Sequence, residues 1–246
     1  MIHWDSASQT HTGKVRSRNE DAVLDRRAHS LWAVADGMGG HQNGALASRM
    51  IVEQLADLPL GANLDQNQRR VRQALHQVNH RLTQDLTLCA GEPAPLIGST
   101  VVAVATYGMR AVCLWAGDSR CYLWRRQKLY LLSKDHTLAQ QLINGANMNP
   151  AQAAQHPSAQ ALTRAVGAHE ILRLDVTEFN LQVGDRLLLC SDGLYRTLTV
   201  RQLNHALALP SAREAVEHLF AEVLQGAASD NLSAIVIRPT PSPSSP

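Results

Sequence analysis

Between residues 99 and 133 four strand-like apolar runs follow one another in quick succession: "STVVAVATY", "MRAVCLWAG", "RCYLWRR" and "KLYLLS". Only a glycine or a charged pair separates them. A crossover between parallel strands needs about a dozen residues or more, so this block favours antiparallel pairing over βαβ units. Helical periodicity lies outside it. "NGALASRMIVEQLADL" predicts one helix, and "QNQRRVRQALHQVNHRLTQDL" a second, with Val71, Leu75, Val78, Leu82 and Leu86 every three or four residues. "GEPAPLIG" breaks the pattern. Ahead of these helices, "AVLDRRAHSLWAVAD" predicts two short strands joined by a turn, the second ending at Asp36.

Past the strand block, a polar, alanine-rich passage over about 135–160, including "NPAQAAQHP", reads as mostly helical. Strands resume at "RLDVTEFNL" and "DRLLLCSD". Ser211 is the expected N-cap of a further helix, with Glu214 at N3 ahead of an apolar stripe of Ala215, Val216, Leu219, Phe220 and Val223. "DNLSAIVIRP" closes the chain as a strand. This order describes one α+β domain over 1–237, without linker or internal repeat, and "RPTPSPSSP" (238–246) reads as a disordered tail.

The 246 residues suffice for a substantial core. Formal net charge is only +2, and the arginine pairs at 26–27, 69–70 and 125–126 are isolated, so nucleic acid is not a suggested partner. Cys89, Cys113, Cys121 and Cys190 form no CxxC pair and read as free thiols. No signal peptide is visible in "MIHWDSASQT", and no apolar run reaches membrane-spanning length. A cytoplasmic monomer is the expectation.

Acids recur at the edges of apolar strands. They lie in "RSRNEDA" (16–22), "VADGMGG" (34–40), "WAGDSR" (115–120), "LCSDGL" (189–194) and "ASDNLSAIV" (228–236). A single Asp among small residues at a strand end is ordinarily a turn cap. Five such stretches, if brought together, would repel one another and require cations. Oxygen donors without clustered histidine or cysteine suit Mg²⁺ or Mn²⁺ and not zinc. His3, His11, His76, His80 and His218 lack metal-ligand spacing and are expected on surfaces. Asp36 is placed to bridge two ions about 4 Å apart, with the Gly37 carbonyl free for one of them. Arg16 carries a fork that matches two phosphoryl oxygens. The expected chemistry is in-line attack on phosphorus by a metal-bridging water or hydroxide. "DGMGGH" lacks GxGxxG spacing, no GxxxxGK[ST] loop occurs, and "CSDGL" and "GDSR" are not nucleophile elbows. A covalent phosphoenzyme is therefore the weaker mechanism.

These stretches resemble the metal-dependent PP2C-type (PPM) serine/threonine protein phosphatases in their compact bacterial form. The matching segments are "TGKVRSRNEDA", "VADGMGGH", "IGSTVVAV", "WAGDSRCYLWR", "LSKDHT", "ALTRAVG", "VGDRLLLCSDGL" and "SDNLSAIVI", in the family's order over 9–237. The resemblance implies a sandwich of two antiparallel sheets flanked by helices, with two Mn²⁺ or Mg²⁺ ions at one end. By position it implies Asp36 as the bridging ligand, Asp192 and Asp230 completing one ion's shell, and Glu20 with the Gly37 carbonyl serving the other. Asp21 would support metal-held water, Arg16 would bind phosphate, and Asn231 would lie behind the ligands. Asp118 and Asp192 would hold a third, weaker ion. The passage from Asp135 to Arg164 resembles a mobile flap that selects substrates.

One position departs from some relatives, which carry a histidine after the DG pair as general acid. Met38 stands there, and the role is not transferred to His41. The implied function is hydrolysis of phosphoserine and phosphothreonine in proteins, reversing a serine/threonine kinase of a secretion, cell-wall or stress pathway. The alternatives are a metal-dependent phosphatase of a small phosphorylated metabolite, and a catalytically inactive phosphoprotein-binding module.

Overall fold

The computed structural model describes residues 2–39, 43–86 and 97–241. In chain order the elements are β1 (Ile2–His11), β2 (Asp21–Arg26), β3 (Leu31–Met38), α1 (Asn43–Ala56), α2 (Leu64–His80), β4 (Gly98–Ser99), β5 (Val101–Tyr107), β6 (Arg110–Ala116), β7 (Arg120–Arg125) and β8 (Lys128–Leu131). After them come α3 (Leu138–Gly145), α4 (Pro150–Ala154), β9 (Asp175–Asn180), β10 (Arg186–Cys190), α5 (Asp192–Tyr195), α6 (Val200–Leu207), α7 (Ala212–Gln225) and β11 (Leu232–Pro241).

The strands form two sheets, ordered β1-β11-β10-β7-β8 and β2-β3-β5-β6-β9, with β4 hydrogen-bonded to β3. Every pairing is antiparallel. Alternation along the apolar runs explains why both faces of each sheet are covered. Leu187, Leu189, Ile235, Ile237, Val102 and Val104 point between the sheets, around Trp32. Val101, Ala103 and Ala105 point outward to α1 and α2, and Leu188, Cys190, Ala234 and Val236 outward to the helices α6 and α7. Helices, sheet, sheet and helices are thus stacked in four layers, the α+β sandwich expected from the sequence.

Three elements carry no strong local signal. β1 is mostly polar, yet it pairs along its whole length with β11 and sends Trp4 inward, edge-on to Trp32 at 5.3 Å. The short helices α5 and α6 follow β10 directly, and α6 is opened by a capping box of Thr199 and Gln202. At α7, Ser211 caps Glu214 N–H as expected.

The tail assignment needs correction, because β11 continues through Pro241 and takes in the first residues of the 238–246 segment. Among the described residues only β1 pairs with this strand past Ile237, so Pro239 and Pro241 remove no ladder bond from a second described neighbour. Cys89, Gly40, His41 and most of "GEPAPLIG" lie outside the described residues. Cys113, Cys121 and Cys190 are buried free thiols. No helix among the described residues is long and apolar enough to cross a membrane.

Candidate functional site

Strand ends from both sheets meet at one end of the sandwich. In the β2–β3 ladder Asp21 stands directly opposite Asp36. The β10–α5 junction supplies Asp192, the β6–β7 turn Asp118, and the approach to β11 Asp230 and Asn231. Together with Arg16, Glu20 and Gly37 they line a cleft of about 340 Å³. All the residues expected at the site except Asp21, which lies buried behind it, therefore line one cavity.

Close backbone approach makes this convergence possible. A Cβ on Gly193 would lie 2.0 Å from the Asn231 carbonyl oxygen, so the loops bearing Asp192 and Asp230 touch only because that residue is glycine. At Gly37 a Cβ would meet the Gly44 carbonyl at 2.1 Å, which seats the start of α1 against the Asp36 loop. Asn231 ties the β1–β2 loop in place. Its Oδ1 accepts the Glu20 N–H at 2.8 Å, while its amide donates to the Thr12 and Arg18 carbonyls at 2.8 and 2.9 Å.

The electrostatics are those of a cluster short of positive charge. Burial, followed by the fields of Asp21, Asp192, Asp118 and Asp230, pushes Asp36 well above the ordinary carboxylate range. Burial is also the main cause for Asp21 and Asp118, each pushed up to about 6. Asp36 and Asp192 line the same cleft and act on each other through their fields, and buried carboxylates so placed need a shared proton or a cation. Ser191 donates to Asp21 Oδ2 at 2.8 Å, but Asp21 Oδ1 is buried without a partner. An orphaned buried acceptor beside paired acids, in an all-oxygen donor set, fits divalent cations and the water they bring.

Two arginines rim the cleft. Arg16 forks onto Asp230, Nε at 2.8 Å and Nη2 at 2.9 Å. Arg196, which sequence reasoning did not select, donates through Nη2 to Asp118 Oδ2 at 2.9 Å and to Gln160 Oε1 at 2.8 Å, while its Nε faces Asp192 Oδ2 at 3.3 Å. The space between Asp118 and Asp192, where a third ion was expected, therefore already holds a cation, and the residues present do not fit that ion. The i,i+4 spacing of Asp192 and Arg196 was the available signal. Met38 lines the cleft and packs its methyl against Gly98. No histidine, cysteine or lysine is among the described lining residues.

The 135–164 excursion hangs over this cleft and contributes Gln160 and Leu162. Its base is clamped. Arg120 forks onto Asp135 at 2.9 and 2.7 Å, and Arg164 reaches Asp175 at 2.6 Å. Buried His136 accepts the Gly117 N–H on Nδ1 at 3.1 Å, so its Nε2–H donates to Asp175 at 3.1 Å. Burial holds its pKa below the ordinary value. A larger cavity of about 770 Å³ lies on the other side of this base, but it has no comparable gathering of acids.

A fold of two helix-flanked antiparallel sheets with an acid cluster at one end defines a class, and the chain belongs to it. The family described as Protein phosphatase 2C matches residues 9–236. Among individual relatives, the serine/threonine protein phosphatase PstP of Mycobacterium tuberculosis is 32% identical over 234 residues, covering 94% of this chain and 44% of that protein. The chain thus spans less than half the length of that relative. PppA of Pseudomonas aeruginosa, described as a key regulatory component of the T6SS, superposes with a TM-score of 0.88 at 39% identity, over 97% of this chain and 98% of that one. The catalytic domain of PstP in complex with 2 manganese ions superposes with a TM-score of 0.83 at 30% identity, over 98% and 100%.

Proposed function

We propose that this chain is a Mn²⁺- or Mg²⁺-dependent phosphatase that removes phosphate from phosphoserine and phosphothreonine in proteins. The convergence of Glu20, Asp36, Asp192 and Asp230 on one cleft, with Asp21 Oδ1 orphaned behind it, carries the reading. The similarity to a PstP domain that binds 2 manganese ions supports it. Asp36 and Asp192, which line the same cleft, would share one ion, with Asp230 beside them. Glu20 and the Gly37 carbonyl would hold the other, with Asp36 between. When bound, such ions supply the Lewis acidity that polarises a phosphoryl group and makes water a nucleophile near neutral pH.

The remaining work falls to side chains. Arg16 would release Asp230 to an ion and turn its fork to two phosphoryl oxygens, holding phosphorus in one orientation. Asp21 Oδ1 would accept a hydrogen bond from water at the site, which removes its unmet desolvation cost. Met38 offers no proton, so the leaving alkoxide must take one from solvent or a protonated acid. The overhanging 135–164 segment would read the protein around the phosphoresidue. The substrates would be products of a serine/threonine kinase, and the likeness to PppA supports a secretion-apparatus kinase among the settings considered. The buried free thiols support a cytoplasmic location.

The test is phosphate release from a phosphothreonine peptide by chelator-stripped protein as Mn²⁺ is titrated back, beside Asp36→Asn. Activity that returns with the metal and is absent in the variant is the expected result. A folded, Mn²⁺-loaded protein that leaves phosphopeptides intact would overturn the assignment.

A further inference from the structure

The acid cluster ends at Asp118, and the cation there belongs to the protein. We propose that Arg196 is a built-in replacement for the third metal ion, so that this chain binds ions in the Asp36 centre alone; the inference rests on the two-metal reading above. Asp118 is almost wholly buried, its side chain 6% exposed, and needs a charged partner. Arg196 supplies it from a fixed position. Its backbone N–H closes the α5 turn on the Asp192 carbonyl at 3.0 Å, and the preceding Leu194 and Tyr195 are locked in the core between the first sheet and its helices. Behind them the Arg120 guanidinium stacks on the Tyr195 ring at 3.7 Å.

The guanidinium is committed on three sides. Both Nη2 hydrogens are used, by Asp118 and Gln160, and Nε faces Asp192. A divalent ion bridging Asp118 and Asp192 would compete with this guanidinium for the two carboxylates and would sit against a group that stays protonated at any working pH. The bond to Gln160 gives this internal cation a second consequence. A metal ion there would come and go with its concentration, whereas Arg196 keeps the overhanging segment joined to the acid cluster at any metal level.

Binding of Mn²⁺ itself reports on this directly. Free Mn²⁺ would be followed by electron paramagnetic resonance, up to about millimolar concentration, with wild type, Arg196→Ala, Arg196→Gln and Arg196→Ala combined with Asp118→Asn, each checked for native circular dichroism. Wild type should saturate at about two ions per chain, the centre typical of two-metal hydrolases. R196A and R196Q should each take up one more, weaker ion, which the added D118N removes. A third ion in wild type, or none gained by either folded neutral variant, overturns the inference and leaves the two-metal reading standing. Fewer than two ions in wild type overturns both.

Discussion

Arg16 and Arg196 both line one carboxylate cluster and are held in opposite ways. Arg16 sits on the loop between β1 and β2, its side chain 57% exposed, with a fork onto Asp230, itself 39% exposed. Arg196 caps a helix that begins at one of its own partners and reaches two acids and an amide, one of the acids almost fully buried. The difference teaches which contact can be exchanged. An exposed pair is worth little and can open at small cost, so Arg16 is free to hand Asp230 to a metal and take up phosphate. Arg196 cannot leave without exposing Asp118 to an uncompensated charge.

The comparison breaks most visibly at Arg16. Arg16→Ala should lower kcat/KM on a phosphothreonine peptide by about 10²-fold, as expected for loss of a group that contacts developing phosphoryl charge. Its unfolding free energy should stay within about 0.5 kcal/mol of wild type, because the pair it breaks is exposed. Arg16→Lys should recover only part of the rate, since a point charge does not replace a fork. An R16A protein of undiminished kcat/KM would remove the distinction between the rims.

Arg196→Ala should show the reverse balance. Chemical denaturation of the metal-free variant should reveal a loss of about 1–2 kcal/mol, below the range for a fully buried pair because the arginine is itself partly exposed. Added Mn²⁺ should restore more stability to R196A than to wild type, by mass action at the vacated acids. Turnover of a small aryl phosphate should change by less than about 10-fold, because no phosphoryl contact is assigned to this residue.

Acid should separate the cluster from the base of the overhanging segment. Asp21 and Asp118 are pushed up to about 6 from an ordinary value of 3.8. The native state thus binds their protons more tightly than the unfolded chain does. Their penalty is absent below the unfolded value, grows as pH rises toward 6, and is complete above it. Metal-free protein should therefore gain about 2–3 kcal/mol from these two groups together between pH 7 and pH 5. His136 works the other way. Its pKa is depressed by burial from 6.5, so its contribution is present above that value and fades as pH falls below it. Urea midpoints at both pH values, in chelator, should show a smaller acid gain for Asp118→Asn than for wild type. Equal gains would mean that Asp118 does not carry the strain.

Much of this was legible in the chain. Closely spaced apolar runs fixed antiparallel sheets, because no parallel crossover fits between them. Asp36, Asp192 and Asp230 stood out because each lies at the edge of an apolar strand and is followed by glycine or asparagine. What escaped depends on tertiary proximity. β1 draws its order from ladder bonds to β11, far along the chain, and the Arg120–Asp135 fork and the His136–Asp175 bond join residues whose sequence spacing carries no signal. Arg196 was readable in principle, as an i,i+4 partner of Asp192, but its second acid is 78 residues away. "RPTP" looked like a tail because proline is rare in paired strands, and it is tolerated here because that side of β11 has no neighbour among the described residues.

The smallest effect should come from Gln160, where the fixed rim meets the overhanging segment. Its Oε1 accepts from the same Arg196 nitrogen that serves Asp118. Gln160→Ala removes one partly exposed hydrogen bond, worth about 0.5–1.5 kcal/mol, and leaves every acid and both arginines in place. Mn²⁺ stoichiometry and turnover of a small aryl phosphate should be unchanged. If the segment reads the protein around the phosphoresidue, the loosened link should instead raise KM for a phosphothreonine peptide by roughly 2- to 5-fold, with kcat nearly constant, the pattern for lost uniform binding. Equal losses on both substrates would place Gln160 with the chemistry and Arg196 with it, and the two rims would then differ only in exposure.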